Sequence, residues 1–242
     1  MTTLLAKGRL RARQSRAAPD IAAARTLRAL AFGCDDADAL DDICTHILIE
    51  DIQNGDLLCC FRMFCLTGRD VAQSYSAQFY ELPALKAFEG KMVEMGRFCT
   101  HPDQSRDPDI LRMAWGAMTA YVDANDVELL FGCSSFAGTD TEAYLDSFAM
   151  LKERHLAPKH WLPRIKAPKV FRYAAQLRRA PDVKQAMRAM PPLLRTYLMM
   201  GGWVSDHAVV DEKMNTLHVF TGVEIRAIPD ARKRLLRAVV GQ

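Results

Sequence analysis

The sequence lacks any apolar run of the roughly 18–20 residues needed to cross a bilayer. Its start, "MTTLLAKGRLRAR", has no apolar stretch ahead of a cleavage site, so no secretory leader is read there. From these absences a cytoplasmic location is expected. Glycine-rich phosphate loops are missing as well. Neither G-x-G-x-x-G nor G-x-x-x-x-G-K-[ST] follows a predicted strand, which leaves the nucleotide folds built on them without support. No C-x-x-C pair occurs among the seven cysteines. Their odd number, with most inside apolar runs, argues against a disulfide framework or a zinc site and reads as reduced buried thiols. The six histidines are scattered without ligand spacing, and no metal is expected. Large net charge is absent too, at +3 overall, so bulk nucleic-acid binding is not expected.

What is present is a chain of 242 residues, half of them hydrophobic, enough for one sizeable core. It reads as a single domain over 1–242, with 156–242 as a C-terminal extension. Charge is local. "KGRLRARQSR" (7–16) is basic, "DDADALDD" (35–42) holds five aspartates, and "PDARKRLLRAV" (229–239) is basic again. Arg9, Arg11 and Arg13 alternate with Leu10 and Ala12, which predicts a first strand with an arginine face. "PDIAAARTLRALAF" (19–32) has helical spacing and puts Arg28 and Phe32 on one face. Two apolar runs flank Asn54-Gly55 and predict a hairpin. "KMVEMGRFCT" (91–100) reads as a strand. Asp107-Pro108 opens a helix through residue 126, with Ile110, Met113, Ala114, Ala117, Met118 and Tyr121 inward. "VELLFGCSSF" (127–136) is a buried strand, and a helix over 139–155 is capped by Thr139 or Asp140. A Pro- and Lys-rich connector (156–169) leads to a helix, a proline interruption, a second helix and a glycine stop over 180–202. A late strand (216–225) and a terminal basic helix from Pro229 follow. The pattern is mixed α/β, with antiparallel and parallel parts.

The strand at 91–100 carries Glu94, Gly96 and Arg97 within an apolar run. "EMGRFC" (94–99), the helix after it, "LLFGCSSFAG" (129–138) and "GGWVSDHAVVDEKMNTLHVFTGVEI" (201–225) together resemble the ornithine–acyl-carrier-protein N-acyltransferases of bacterial ornithine-lipid synthesis. The resemblance runs from about Gly8 onward. The E-x-x-R-F core is also similar to the N-acyl-homoserine-lactone synthases. There, Arg28 and Phe32 match a paired Arg and Phe on the first helix, and Asp38 and Asp41 match acidic residues after it. The missing Trp after Phe32 favours the lipid enzyme. Both families imply a GNAT-like acyltransferase fold: a mixed, mostly antiparallel central sheet flanked by helices, here with a C-terminal helical extension.

The resemblance implies that a fatty acyl group, expected to be 3-hydroxyacyl, leaves acyl-phosphopantetheine on acyl carrier protein for the α-amino group of an amino acid. Ornithine is expected as acceptor, ahead of glutamine or glycine, and no permanently bound cofactor is expected. Amide formation needs a neutral amine, a polarised carbonyl and a protonated leaving thiol. Glu94 is the candidate base. Gly96 would let the backbone come close to the thioester oxygen, and Arg97 supports the site or binds the acceptor carboxylate with Arg28. Asp38 and Asp41 are candidates for a cationic acceptor side chain, and Phe32, Phe98, Ser134 and Ser135 for substrate contact. Lys152, Arg154, Lys159, Arg164, Lys166 and Lys169 form a candidate face for the acidic carrier. The terminal helix is a candidate for peripheral contact with the cytoplasmic face of the inner membrane. Three alternatives stand beside this reading: a lactone synthase using S-adenosylmethionine, a non-catalytic carrier- or lipid-binding module, and a covalent route through Cys99 and His101.

Overall fold

The computed structural model describes residues 2–105 and 107–240. Its strands are β1 (Thr2–Lys7), β2 (Leu10–Ser15), β3 (Thr45–Asp51), β4 (Leu57–Leu66), β5 (Tyr80–Glu81), β6 (Met92–Thr100), β7 (Leu129–Ala137), β8 (Arg164–Ile165), β9 (Val170–Phe171), β10 (Trp203–Asp211) and β11 (Thr216–Glu224). The chain forms two compact units. One comprises Met1–Cys65, Val93–Val127 and Pro229–Gln242, the other Leu66–Met92 and Glu128–Ile228. The stretch expected as an extension is thus shared: up to Ile228 it belongs to the second unit, and from Pro229 to the first.

In the first unit the strand order is β1-β2-β3-β4-β6. β1 was not expected from the sequence. It turns back on β2 through Gly8 at φ 57°, and of its residues only Leu5 is buried, so it carries little apolar pattern. β2 pairs antiparallel with β3, placing Arg11 opposite Glu50. The arginine face predicted there is real. Arg11 donates to Glu50 at 2.9 Å, and Arg13 donates to Asp20 at 2.7 and 2.8 Å and to Glu50 at 2.6 Å. β3 and β4 form the predicted hairpin, but only Gly55 takes a positive φ, 81°. The connection is longer than a two-residue turn because the Gly55 amide bonds back to the Asp51 carbonyl. Helix Ala18–Phe32 buries Ile21, Ala24, Leu27 and Arg28 and ends at Gly33 with φ 72°. Helix Pro108–Ala124 begins where predicted, with Asp107 accepting from the Asp109 amide, and all six predicted inward residues are buried. The terminal helix Asp230–Val240 meets it through Arg237 and Asp123.

In the second unit the order is β7-β11-β10-β9. β7 and β11 pair antiparallel along nine residues. β10 was not expected as a strand. Its ladder with β11 is broken between Val204 and Ala208, and the Ser205 hydroxyl accepts the Phe220 amide there. Helices Leu145–Arg154, Val183–Ala189 and Pro192–Met199 bury Phe148, Leu151, Ala186, Met190 and Leu194 in one cluster with Val204 and Val219. The first of these helices starts later than predicted. Asp140 accepts the Glu142 amide two residues on, and Tyr144 donates to the Ala137 carbonyl, so the chain makes a short 3₁₀ turn over Glu142–Tyr144 before the α-helix. No helix among the described residues is long and apolar enough to cross a membrane.

Candidate active site

The strand β6 loses its alternation where the motif lies. Met92 to Met95 are all buried, and Gly96 to Phe98 are half-buried. Arg97 stands at φ 55°, a left-handed residue inside a strand. That conformation costs an L-residue with a Cβ roughly 1–2 kcal/mol and persists only where the surroundings hold it. Here the side chain supplies the hold. Its guanidinium lies 2.8 Å from an Asp36 carboxylate oxygen and 3.2 Å from one of Asp38. The expectation for Gly96 therefore shifts by one residue. Gly96 has no positive φ, and a Cβ on it would sit 3.7 Å from Arg62 Nε, an ordinary contact. The strand is bent at Arg97.

Around that bend the first unit gathers four arginines and three aspartates. Arg28 donates from Nε to Asp36 at 2.9 Å and from both terminal nitrogens to Asp41 at 2.6 and 2.8 Å. Arg62 donates to Asp38 at 2.6 and 2.8 Å and to Asp41 at 2.9 Å. Arg25 adds a bond to Asp41 at 2.9 Å. The side chains of Arg28, Asp36 and Asp41 are 1%, 1% and 0% exposed, while Asp38 is 24% and Arg97 12%. The structure thus brings Arg28, Asp38, Asp41 and Arg97 together as expected, and divides them. Arg28 and Asp41 form the interior and are filled by protein partners, so they do not stand open as a carboxylate clamp or an ammonium seat. Asp38 and Arg97 form the edge that reaches solvent.

Four members went unnoticed in the sequence: Arg25, Asp36, Arg62 and His46. Arg62 had a signal, a single charge inside "LLCCFRMFCL" that had to find a buried partner. His46 is 1% exposed, and its Nε2 lies 2.9 Å from the Asp41 carbonyl.

Glu94 is 5% exposed. Residues two apart on a strand share a face, so Glu94 lies on the side of β6 where Arg62 packs against Gly96. Cys44 reports the same neighbourhood. Burial pushes its thiol up to about 12, with the charges of Glu94, Asp38 and Asp41 adding and Arg62 opposing. Phe98 stacks on Phe61 at 5.6 Å, and Phe32 packs beside Leu27, Leu48 and Cys99. Ser134 and Ser135 belong to the second unit. Ser134 is buried and accepts from the Thr221 hydroxyl at 3.0 Å, and Ser135 is exposed, opposite His218. Cys99 and His101 do not form a nucleophile pair. Cys99 is buried with its Sγ 3.5 Å from that of Cys60, and His101 Nδ1 accepts the Asp103 amide.

The ion network makes stability depend on acid. The Arg13 bonds hold the Asp20 carboxyl low. Burial alone would raise Glu50, Asp38 and Asp41, but their arginine partners pull each below the usual carboxylate range. Burial lowers His46 below 6.5. All five bind protons less readily folded than unfolded, so the unfolded chain takes up more protons in acid. The carboxylates' contribution is complete above about pH 4–5 and is lost as pH falls through and below that range. That of His46 is complete above its ordinary 6.5 and fades below it. Melting temperature at constant ionic strength is expected to decline gently from about pH 6.5 and steeply below about pH 4. A flat profile down to pH 3 would contradict the network.

Comparison with known proteins identifies the family. Residues 24–116 match the acetyltransferase (GNAT) domain family. An L-ornithine N(alpha)-acyltransferase of Rhodobacter capsulatus is 31% identical over 204 residues, covering 82% of this chain and 78% of the relative. One from Brucella abortus is 28% identical over 201 residues, covering 80% and 71%. Among solved structures, FeeM, an N-acyl amino acid synthase from uncultured soil microbes, shares the fold with a TM-score of 0.50 at 11% identity, over 91% of this chain and 93% of that one. A mixed α/β GNAT-like acyltransferase fold, a buried Glu94 beside an arginine–aspartate network and the 31% relative lead to one statement: the chain belongs to the L-ornithine N(alpha)-acyltransferase family.

Proposed function

We propose that this protein transfers a fatty acyl group, 3-hydroxylated, from acyl carrier protein to the α-amino group of L-ornithine, giving a lyso-ornithine lipid. The observation that carries the reading is family membership joined to a carboxylate, Glu94, buried on the bent strand β6. The α-ammonium gives a proton to Glu94, directly or through water. The neutral nitrogen attacks the thioester carbon, and the carbonyl electrons move to oxygen. Collapse of that intermediate re-forms the carbonyl, expels the pantetheine thiolate and leaves an amide. The amide nitrogen sheds its second proton, and the thiolate takes one up.

The left-handed turn at Arg97 takes backbone amides of β6 out of regular ladder geometry. One such N–H, aimed at the developing oxyanion, supplies about 3 kcal/mol of barrier lowering. Asp38 and Arg97, the exposed edge of the network, face the acceptor's ammonium and carboxylate; Arg28, Asp36, Asp41 and Arg62 hold that edge in place. Phosphopantetheine on the carrier needs a cationic seat. Of the six candidate bases, Lys152 and Lys166 are tied to the carbonyls of Leu177 and Ala77, Arg154 to Glu153 and Lys169 to Glu212, which leaves Lys159 and Arg164 exposed for the carrier's acidic surface.

The test is an assay of purified protein with 3-hydroxyacyl carrier protein and a panel of amino acids. N-acyl-ornithine is the expected product. Preference for glutamine or glycine would move the acceptor assignment, and transfer from acyl-coenzyme A alone would overturn the carrier.

A further inference from the structure

The two units treat their basic residues differently. In the first, Arg9, Arg11, Arg13, Arg28, Arg62 and Arg97 are all ion-paired to aspartate or glutamate. In the second, residues 172–195 hold six arginines and lysines against one acid, Asp182. That acid serves as a helix cap, accepting the Gln185 amide. Of the six bases only Arg179 has an acidic partner among the described residues, Asp146. Arg178 and Arg195 reach only backbone carbonyls.

The helix Val183–Ala189 concentrates this. Its inward side supplies Ala186 to the core, and the next residue after it, Met190, is buried there too. Its outward side shows Val183 at 42% exposure and Met187 at 39%, one turn apart. Lys184 and Arg188, also one turn apart, lie beside them and are exposed. A helix that merely met water would carry polar groups of both signs there. This one presents apolar tips set among unneutralised cations.

We propose that this face rests on an anionic lipid surface. Apolar tips enter the boundary between headgroups and acyl chains while the bases meet lipid phosphates. The proposal rests on the acyltransferase reading in one respect: joining a fatty acyl chain to an amino acid makes an amphiphile, and a bilayer is where that product partitions. An acidic protein would also satisfy the charge. The exposed Val183 and Met187 favour lipid, because the charge they interrupt gains from an extended surface and they gain from an apolar one.

Cosedimentation with vesicles tests it without reference to activity. Wild-type protein is expected to bind vesicles of phosphatidylglycerol mixed with phosphatidylcholine, to be released by raised salt, and to ignore pure phosphatidylcholine. Lys184→Ala with Arg188→Ala is expected to weaken the partition coefficient about thirty-fold, taking roughly 1 kcal/mol per base at an anionic surface. Val183→Ser with Met187→Ser is expected to weaken it as well. Circular dichroism checks that both variants fold. The terminal helix is the control: Arg232→Ala with Arg234→Ala is expected to keep most of the binding. Failure of the wild type to bind, equal binding by the face variants, or transfer of the whole loss to the terminal-helix variant would each overturn the proposal. So would a rise in KM for acyl carrier protein in Lys184→Ala/Arg188→Ala with vesicle binding unchanged, which would assign the face to a protein. Acyl transfer that persists in detergent-free solution while vesicle binding is absent would reject the lipid surface and leave the enzyme reading intact.

Discussion

Glu94→Gln is expected to lower kcat/KM for acyl transfer by roughly 10²–10⁴-fold at pH 7, the usual worth of a positioned general base. The substitution keeps the shape of the side chain, removes its ability to take a proton and turns one acceptor oxygen into an N–H₂ donor. Gln matches Glu in volume, so the variant leaves no cavity at this buried position on β6, and circular dichroism checks that it folds. The pH profile separates base loss from local damage. With the carboxylate in place, the rate depends on its titration. Without it, attack awaits amine that is already neutral, so the variant's rate should keep climbing tenfold per pH unit until the α-amine itself titrates, at about pH 8 or above. Glu94→Asp, one methylene shorter, should fall between the two. Equal rates for wild type and Glu94→Gln at pH 7 would remove Glu94 from the mechanism. A uniform loss at every pH would make it a positioning residue.

How far the sequence reveals this arrangement depends on the distance over which each signal acts. Asp107-Pro108 and the spacing from Ile110 to Tyr121 are local, and the helix Pro108–Ala124 appears where they put it. The apolar runs around Asn54-Gly55 are local too, and they pair. β10 escaped because Ser205, Asp206 and His207 interrupt its apolar alternation at the break in register, and the compensation, Ser205 accepting the Phe220 amide, comes from another strand. Arg62 escaped for the same reason. Its partners Asp38 and Asp41 lie 24 and 21 residues away, and nothing local marks them apart from Asp35 and Asp42 in the same run. Glycine is the residue expected wherever a strand bends, and Gly96 stands next to the bend. Here Arg97 takes the left-handed conformation, since ion pairs to Asp36 and Asp38 outweigh its backbone cost. The motif marks β6 as the strand proposed to carry the chemistry. Only the fold shows that Arg28 and Asp41, matched to substrate-binding positions by resemblance, are interior struts.

That distinction sets the largest expected loss of stability. Asp41→Asn should destabilise the protein by about 3–5 kcal/mol, the cost of leaving buried charge uncompensated. Asp41 is 0% exposed and accepts from Arg25, Arg28 and Arg62 together. An amide in its place keeps one acceptor and turns two N–H donors toward cations that themselves only donate. Arg28, 1% exposed, has no water to turn to and keeps only Asp36. For a chain of this size the loss corresponds to a fall in melting temperature of roughly 6–20 °C. Asp38→Asn is the comparison. Its side chain is 24% exposed and that of Arg97 12%, so solvent can compensate Arg97, while Arg62 keeps Asp41 as its partner, and the loss should be nearer 1 kcal/mol. The two variants should part in the opposite sense when activity is read at a temperature where both are folded. Asp38→Asn should raise KM for the amino acid, because it alters the edge proposed to face the acceptor. Asp41→Asn should spare KM more than it spares stability. Arg28→Met combined with Asp41→Asn should cost less than the sum of the single losses, since each change removes the charge that the other leaves stranded. Strict additivity, or a loss below 1 kcal/mol for Asp41→Asn, would mean that the buried ions are held independently of one another and that the bend at Arg97 does not depend on them.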